Sequence, residues 1–456
     1  MARHASRKAR SARSDSPLGE PGDSNMKSFS LVITLILSTS VFGALQGVTE
    51  FGTSPEQITN AELSALLDAR VRSADVVALG ESLHGSSGFL RIQTRLIRYL
   101  VESHGLRLIV WENPTLRSVE LGLWVSSCTK KRTPAPIDVL YMPTKSDLAL
   151  WDWICDFNLS HPGDPILFRG MDIWDRPWEH YSKIKALGMV VGIEPRLLRS
   201  IESSCPAYES SSWPEIESIF AQLLLDGKFL PEEDYEKCRN ALTNLLNTSR
   251  QSGIEKQREG KPGSDDAFEL AISASTMLGW LGFYNFNWSD DILSWNARDL
   301  AQGTNLMLLM EKHNAKRSIV SAHTSHVSHN RSPADWWGYG DFKSGIYFFT
   351  GLTRKKVFNI AFTAYHASGT QGYWSLPVAG NSLDKKLHDS GHIFSFLASN
   401  SAFLSEHKKW WIQNGNYPGR YESGVELNLG DHFDAFVFFD QSHLDQALPS
   451  RPMWQP

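Results

Sequence analysis

The stretch DVVALGESLHG (Asp75–Gly85) joins a short β-branched apolar run to a glycine-bounded polar turn. The run Asp75–Gly80 is too short for a helix and reads as a buried strand. Gly88–His104 follows, with Phe89, Ile92, Leu96 and Leu100 at helical spacing and Gly105 as a stop signal. RLIVW (Arg107–Trp111) is then a second strand. Strand, helix and strand within about forty residues describe a βαβ unit, hence parallel pairing.

The same rhythm extends outward. Helices are expected at 61–72, 115–127 and 148–159, and a third strand at 165–170. From 178 to 313 no strand pattern occurs, only helical spacing at 195–203, 213–226, 231–250, 266–283 and 292–313. A polar stretch within it, 251–265, reads as an exposed loop. Strands resume at 317–322, 357–363 and 433–439. The expected class is therefore α/β: a central, mostly parallel sheet flanked by helices, with a large all-helical insertion beside the active-site cleft. The corresponding divisions are a leader at 1–48, the first part of the α/β core at 49–177, the insertion at 178–313, and the second part of the core at 314–456.

The chain has 456 residues, 41% hydrophobic and 21% charged, with 45 Lys and Arg against 50 Asp and Glu. That composition supports a large buried core and excludes a disordered or fibrous protein. A net charge of −5 lacks the basic footprint of a nucleic-acid binder. Residues 1–25 are rich in Arg, Ser, Gly and Pro, and Met26-Lys27 then opens an apolar stretch of about a dozen residues ending near Gly43-Ala44. This is the pattern of a secretory signal peptide; it is shorter than the roughly 20 residues of a membrane span. A secreted or periplasmic protein is expected, with no stable membrane partner beyond the export signal. An uncleaved anchor is the alternative. Export permits disulfides, and Cys128–Cys155 with Cys205–Cys238 is one of three connectivities, beside four free thiols.

In open α/β sheets, ligands bind beyond the carboxyl ends of the strands. Glu81 and His84, Glu112, Asp172, His323 and His326, Tyr365 and His366, and Asp440 and His443 all follow expected strands. A histidine takes up a proton near neutral pH, and a carboxylate beside it fixes its tautomer. Glu81, His84, Glu112, His323 and His326 could thus hold and activate a water, or bind a metal through two histidines and a carboxylate. For each, the plainer reading is structural: His323 and His326 as a hydrogen-bonding pair, Asp172 as a helix cap. No G-x-S-x-G elbow, Walker A loop, G-x-G-x-x-G turn or H-E-x-x-H motif occurs.

Gly80-Glu81-Ser-Leu-His84-Gly85, Phe89, the Arg95–Gly105 segment, Trp111-Glu112, Gly170-Met-Asp172, Asn296-Ala-Arg298-Asp299, Ala322-His323-Thr-Ser-His326-Val327 and Phe433-Asp434-Ala435 with Asp440 resemble, in order and spacing over about 60–440, the erythromycin esterase family. The resemblance implies hydrolysis of the lactone ester of macrolide antibiotics without a required cofactor. It implies that His84 is the general base, that Glu81 and Glu112 support it, and that His323 and His326 line the site. Asp172 and Arg298 are then candidates to bind substrate. Two positions depart from the family pattern: Gly88 stands where a Glu is usual, and Gln93 where an Arg is usual. Arg91 is the candidate replacement for that Arg.

The expected function is an exported hydrolase cleaving a small-molecule ester by His84-activated water, with His323 or His326 stabilising the oxyanion or protonating the leaving alkoxide. Trp280, Phe283, Trp288 and Trp295 would wall the cleft or simply pack helices. The alternatives are a metal-dependent hydrolase, acting for example on peptides, and a non-catalytic ligand-binding relative such as a haem or iron carrier.

Overall fold

A computed structural model describes residues 47–449 apart from 53, 129–133, 141, 206–230, 287–291, 334–341, 370–371, 375–381, 402–408 and 413–424. The chain divides into two units at 43/44, and the described residues belong to the second. Residues 1–46 of the expected leader, the expected helix at 213–226 and Trp288 lie outside them.

Strands β1 (Val48–Glu50), β2 (Val76–Glu81), β3 (Leu108–Pro114), β4 (Leu167–Asp172), β5 (Ser318–His323), β6 (Val357–Gly369), β8 (Phe394–Ala398) and β11 (Ala435–Ser442) form one sheet in the order β1-β8-β11-β6-β2-β5-β3-β4. The short β7 (Gly372–Trp374) pairs with the end of β6. The six strands from β11 to β4 are parallel, and β8 and β1 add an antiparallel edge. β9 (Lys409–Ile412) and β10 (Val425–Asn428) make a separate hairpin pair.

A strand inside a parallel sheet is covered on both faces, so it carries apolar side chains at every position instead of alternating. β2 shows this directly. Val77 and Leu79 enter the core on one face, and Val76 and Ala78 enter that on the other. The first face is packed by α1 (Asn60–Ser73), α2 (Ser87–His104), α3 (Arg117–Ser127) and α4 (Lys145–Ser160).

Between β4 and β5 the described residues form five helices: α5 (Pro177–Val191), α6 (Pro195–Ser204), α7 (Glu232–Arg258), α8 (Ser264–Asn285) and α9 (Ile292–Lys312). They share a third core through Ile184, Leu242, Leu245, Met277, Trp280 and Phe283. Helix α8 is buried on nearly every face, as a helix surrounded by others must be. It meets α9 at glycines: a Cβ on Gly279 would lie 2.4 Å from the Ala301 Cβ, and one on Gly282 would lie 2.6 Å from the Ala297 Cβ. Beyond β5 come the short α10 (Thr324–Val327), α11 (Gly345–Thr353), α12 (Leu383–Asp389) and α13 (Leu429–His432).

The exposed loop expected at 251–265 is a correction. Helix α7 runs unbroken to Arg258, and the turn is confined to 259–263. Leu242, Leu245, Ser249 and Gly253 recur at helical spacing on its buried side, while the polar residues of 251–258 mostly face outward. Polarity alone mimicked a loop. Helix α5 and the edge strands β1 and β8 had no counterpart among the expected elements.

Both local disulfides are formed, Cys128–Cys155 and Cys205–Cys238, and no described cysteine is free. The first ties α3 to α4; the second ties the end of α6 to α7. No helix among the described residues is long and apolar enough to cross a membrane.

Candidate active site

The strand order explains how the site assembles. β5 lies between β2 and β3, and register pairs Glu81 with His323 and Trp111 with Ser321. Three neighbouring strands therefore deliver Glu81, His323 and Glu112 to the same level at their carboxyl ends.

The turn after β2 carries His84. Gly85 holds a φ of 73°, in the left-handed region that favours glycine, and turns the chain into α2. The turn is pinned by main-chain bonds from Ser87 N–H to the His443 carbonyl, 2.7 Å, and from Asp445 N–H to the Gly85 carbonyl, 3.0 Å. His84 Nδ1 lies 2.6 Å from Glu81 Oε1. His84 Nε2 faces Glu112 Oε2 at 4.0 Å, beyond direct hydrogen-bond length. His84 and Glu81 are each 12% exposed at the side chain, against 4% for Glu112 and 2% for His326, so solvent reaches the cluster at this edge.

Glu112 occupies the centre. Its Oε2 accepts the His323 main-chain N–H at 2.7 Å, and its Oε1 lies 2.8 Å from an Arg298 terminal nitrogen and 3.2 Å from His326 Nε2. Burial favours its neutral form, but His326, His84 and Arg298 together hold the carboxyl well below the usual carboxylate range. His326 donates from Nδ1 to Asp299 at 2.8 Å. Burial and Arg298, 3.0 Å from Nε2, oppose its charge; Asp299 and Glu112 outweigh them and raise its pKa to about 9. Burial raises Asp299 in turn, against the pull of His326.

His323 behaves differently. Its Nδ1 accepts from the Ser325 main-chain N–H at 3.3 Å and lies 2.8 Å from the Ser325 hydroxyl. That fixes the proton on Nε2, which donates to the Ser82 carbonyl at 3.1 Å. Burial, with His84 beside it, drives its pKa down to about 3. It is a neutral ring with both nitrogens engaged inside the fold. Burial raises Glu81, against its bond to His84. His84 itself is lowered by burial but raised further by Glu112 and Glu81, and ends above its ordinary value. Asp147, at the start of α4, is pushed up to about 7 by burial, with Glu81 and Asp445 adding repulsion.

Arg298 of α9 is spent inside the cluster. It binds Asp172 through Nε at 2.9 Å and through a terminal nitrogen at 2.5 Å, and it spans Glu112 and His326. Its Cζ also lies 5.1 Å and 5.5 Å from the Trp174 and Trp295 ring centroids. Asp172 and Arg298, expected to bind substrate, are buried here and bonded to each other, with Arg298 also reaching Glu112. Arg91 is not brought into this cluster at all. It pairs with Glu56, its Nε 2.5 Å from the carboxylate.

The two departures are accommodated locally. Gly88 N–H donates to the Ser442 hydroxyl at 3.0 Å, and a Cβ at 88 would fall 2.5 Å from that oxygen. Gln93 is buried, and its amide nitrogen bonds the Ser321 hydroxyl of β5, two residues before His323. Trp280 and Phe283 are buried in the helical core, so the packing reading applies to them. Sequence reasoning did not give Asp299 a role, although it adjoins Arg298; its spacing one residue on was the available signal. Among the described residues no three His, Cys, Asp or Glu side chains converge to hold a metal ion. His323 has both nitrogens engaged in hydrogen bonds, and His326 lies between Asp299 and Glu112.

The sequence profile of the erythromycin esterase family matches residues 101–442. The chain belongs to the erythromycin esterase family. The match takes in Glu112, Asp172, Arg298, His323 and His326; Glu81 and His84 lie just before it. Three solved structures share the fold. A Bacillus cereus protein is 20% identical with a TM-score of 0.67, over 88% of this chain and 97% of its own. A succinoglycan biosynthesis protein is 16% identical with a TM-score of 0.64, over 88% and 95%. A mutant of the erythromycin esterase EreC in its open conformation is 15% identical with a TM-score of 0.59, over 88% and 98%. Family membership supports a hydrolase.

Proposed function

We propose that this member of the family is an exported esterase that opens a macrolide lactone with water activated by His84. The observation that carries the reading is the pair of contacts on His84. Nδ1 is held by Glu81 at 2.6 Å, and Nε2 faces Glu112 Oε2 across 4.0 Å at the solvent-reached edge. A water bonded to both atoms fits that separation and lies within reach of the base.

Nε2 takes a proton from this water as its oxygen forms a bond to the ester carbonyl carbon. Glu81 stabilises the imidazolium through Nδ1–H. Stabilisation of the developing oxyanion is assigned to His326, which Asp299 holds beside Glu112. When the C–O bond to the alcohol breaks, His84 Nε2–H returns its proton to the leaving alkoxide, giving an acid and an alcohol. His323, engaged at both nitrogens, positions Ser82 and the turn carrying His84, and is not assigned the proton transfer. The leader pattern at 26–48 supports the export part of this reading.

The test is incubation of the mature chain with a macrolide, followed by mass spectrometry for gain of one water. Ring opening that survives a chelator and is lost in His84→Ala is the expected result. Unchanged turnover in His84→Ala, chelator-sensitive turnover, or no turnover on macrolides or simple esters would overturn the reading.

A further inference from the structure

Segment 324–331 leaves the site at His326 and runs back across the sheet to its opposite end. There it walls a cavity of about 580 Å³. The cavity opens at the amino ends of β2 and β6, next to Ala74, Val357 and Phe358. Val76 pairs with Val357 there, while Glu81 lies five residues further along β2. At about 3.3 Å per residue the two ends stand roughly 17 Å apart, so this is not the esterase site.

Its lining is strongly cationic. Arg70, Arg331, Lys355 and Lys356 face it, with Asp434 as the one lining carboxylate. That carboxylate is already engaged: its Oδ2 lies 2.8 Å from His329 Nε2 and accepts Asn359 N–H at 3.0 Å. Arg70 bonds Asn400 at 2.8 Å, and the side chains of Arg331, Lys355 and Lys356 form no ion pair with any described residue. Asp75 lies close by, accepting the Lys356 main-chain N–H at 2.8 Å.

The wall behind the cations is preformed. Asn330 is buried in a left-handed conformation, φ 47°. Its side chain bonds the Phe342 carbonyl at 2.9 Å and Ser344 N–H at 2.9 Å. Ser328 and His432 meet at 2.7 Å. Tyr347 adds an aromatic ring at the rim. A recess of small-molecule size whose cations exceed its acids concentrates anions. Phosphate oxygens are strong acceptors for guanidinium and ammonium donors.

We propose that this cavity binds a phosphorylated small molecule, its phosphate groups gripped by Arg331, Lys355 and Lys356. The test is calorimetric titration of the full chain with inorganic pyrophosphate in physiological salt. The expected result is saturable one-to-one binding, weakened at least tenfold in Lys355→Ala/Lys356→Ala and unchanged in the exposed control Lys237→Ala/Lys261→Ala. Arg331→Ala provides an independent second variant, with near-UV circular dichroism confirming each fold. No saturable binding overturns the proposal. So does equal weakening in the control pair, which would mean diffuse charge attraction only. Binding to vesicles containing an anionic phospholipid without binding to pyrophosphate also overturns it, in favour of a membrane surface.

Discussion

Replacing Arg298 with Met removes the guanidinium from a cluster that holds Glu112, Asp172 and Asp299, all buried. Met keeps the apolar stem and the volume beside Trp174 and Trp295 while deleting both bonds to Asp172 and the one to Glu112. Removing one partner of a buried ion pair costs about 3–5 kcal/mol, because the other charge stays buried without compensation. For a folded unit spanning 44–456, about 2.1 cal/mol/K per residue gives an unfolding entropy near ~0.9 kcal/mol/K. The melting temperature should therefore fall by about 3–6 °C. The assay is thermal and urea unfolding with both disulfides intact, on Arg298→Met, Asp172→Asn and the double variant. Once Arg298 is gone, neutralising Asp172 relieves the strain it left, so the double variant should lose less than the two single losses together, by about 1–3 kcal/mol. A loss below about 1 kcal/mol in Arg298→Met, or strict additivity, would refute the reasoning and leave Arg298 free to serve the substrate.

His84 must be neutral to act as base, and its pKa lies above 6.5, so kcat/KM should rise with pH along a limb centred above 6.5; Glu81→Gln should move that limb downward. His326 is raised from 6.5 to about 9, so its contribution to stability is complete below pH 6.5 and is lost between 6.5 and about 9; urea midpoints should fall across that window, and less steeply in His326→Gln. Gly88→Ala places a Cβ 2.5 Å from the Ser442 hydroxyl and should cost about 1–3 kcal/mol by overpacking; Ser442→Gly in the same chain should recover most of it in the same unfolding assay. Reducing Cys128–Cys155 or Cys205–Cys238, which close loops of 27 and 33 residues, should each cost about 3.5 kcal/mol by chain entropy, read as a reductant-dependent shift of the urea midpoint.

The inner strands were legible because burial on both faces leaves an unmistakable apolar run. The elements that the sequence pattern did not signal are those whose chemistry is less distinctive. β1 and β8 lie at an antiparallel edge, and α5 carries exposed Met189 and Val190 that blur its pattern. The end of α7 reads as polar because only one residue in three or four points inward. At the site, the rule that ligands meet strand ends found Glu81, His84, Glu112, Asp172, His323 and His326 together. What spacing could not convey was direction. Arg91 sits only seven residues from His84 in sequence, yet turns to Glu56. His323 and His326 are three apart, yet one is held neutral and the other charged, because one faces a carbonyl and a hydroxyl while the other faces two carboxylates.

The crossing of Arg298 between sheet and helices also imposes an order on synthesis. Glu112 and Asp172 emerge from the ribosome 186 and 126 residues before the arginine that compensates them. Until then, burying either carboxylate is unfavourable, since an ionised group without a partner keeps its water. The first three parallel strands therefore cannot close over their own polar ends as they appear. Such long-separation contacts slow folding. The completed fold waits on α9, and a nascent chain halted before residue 298 should remain open to proteases at the carboxyl end of the sheet.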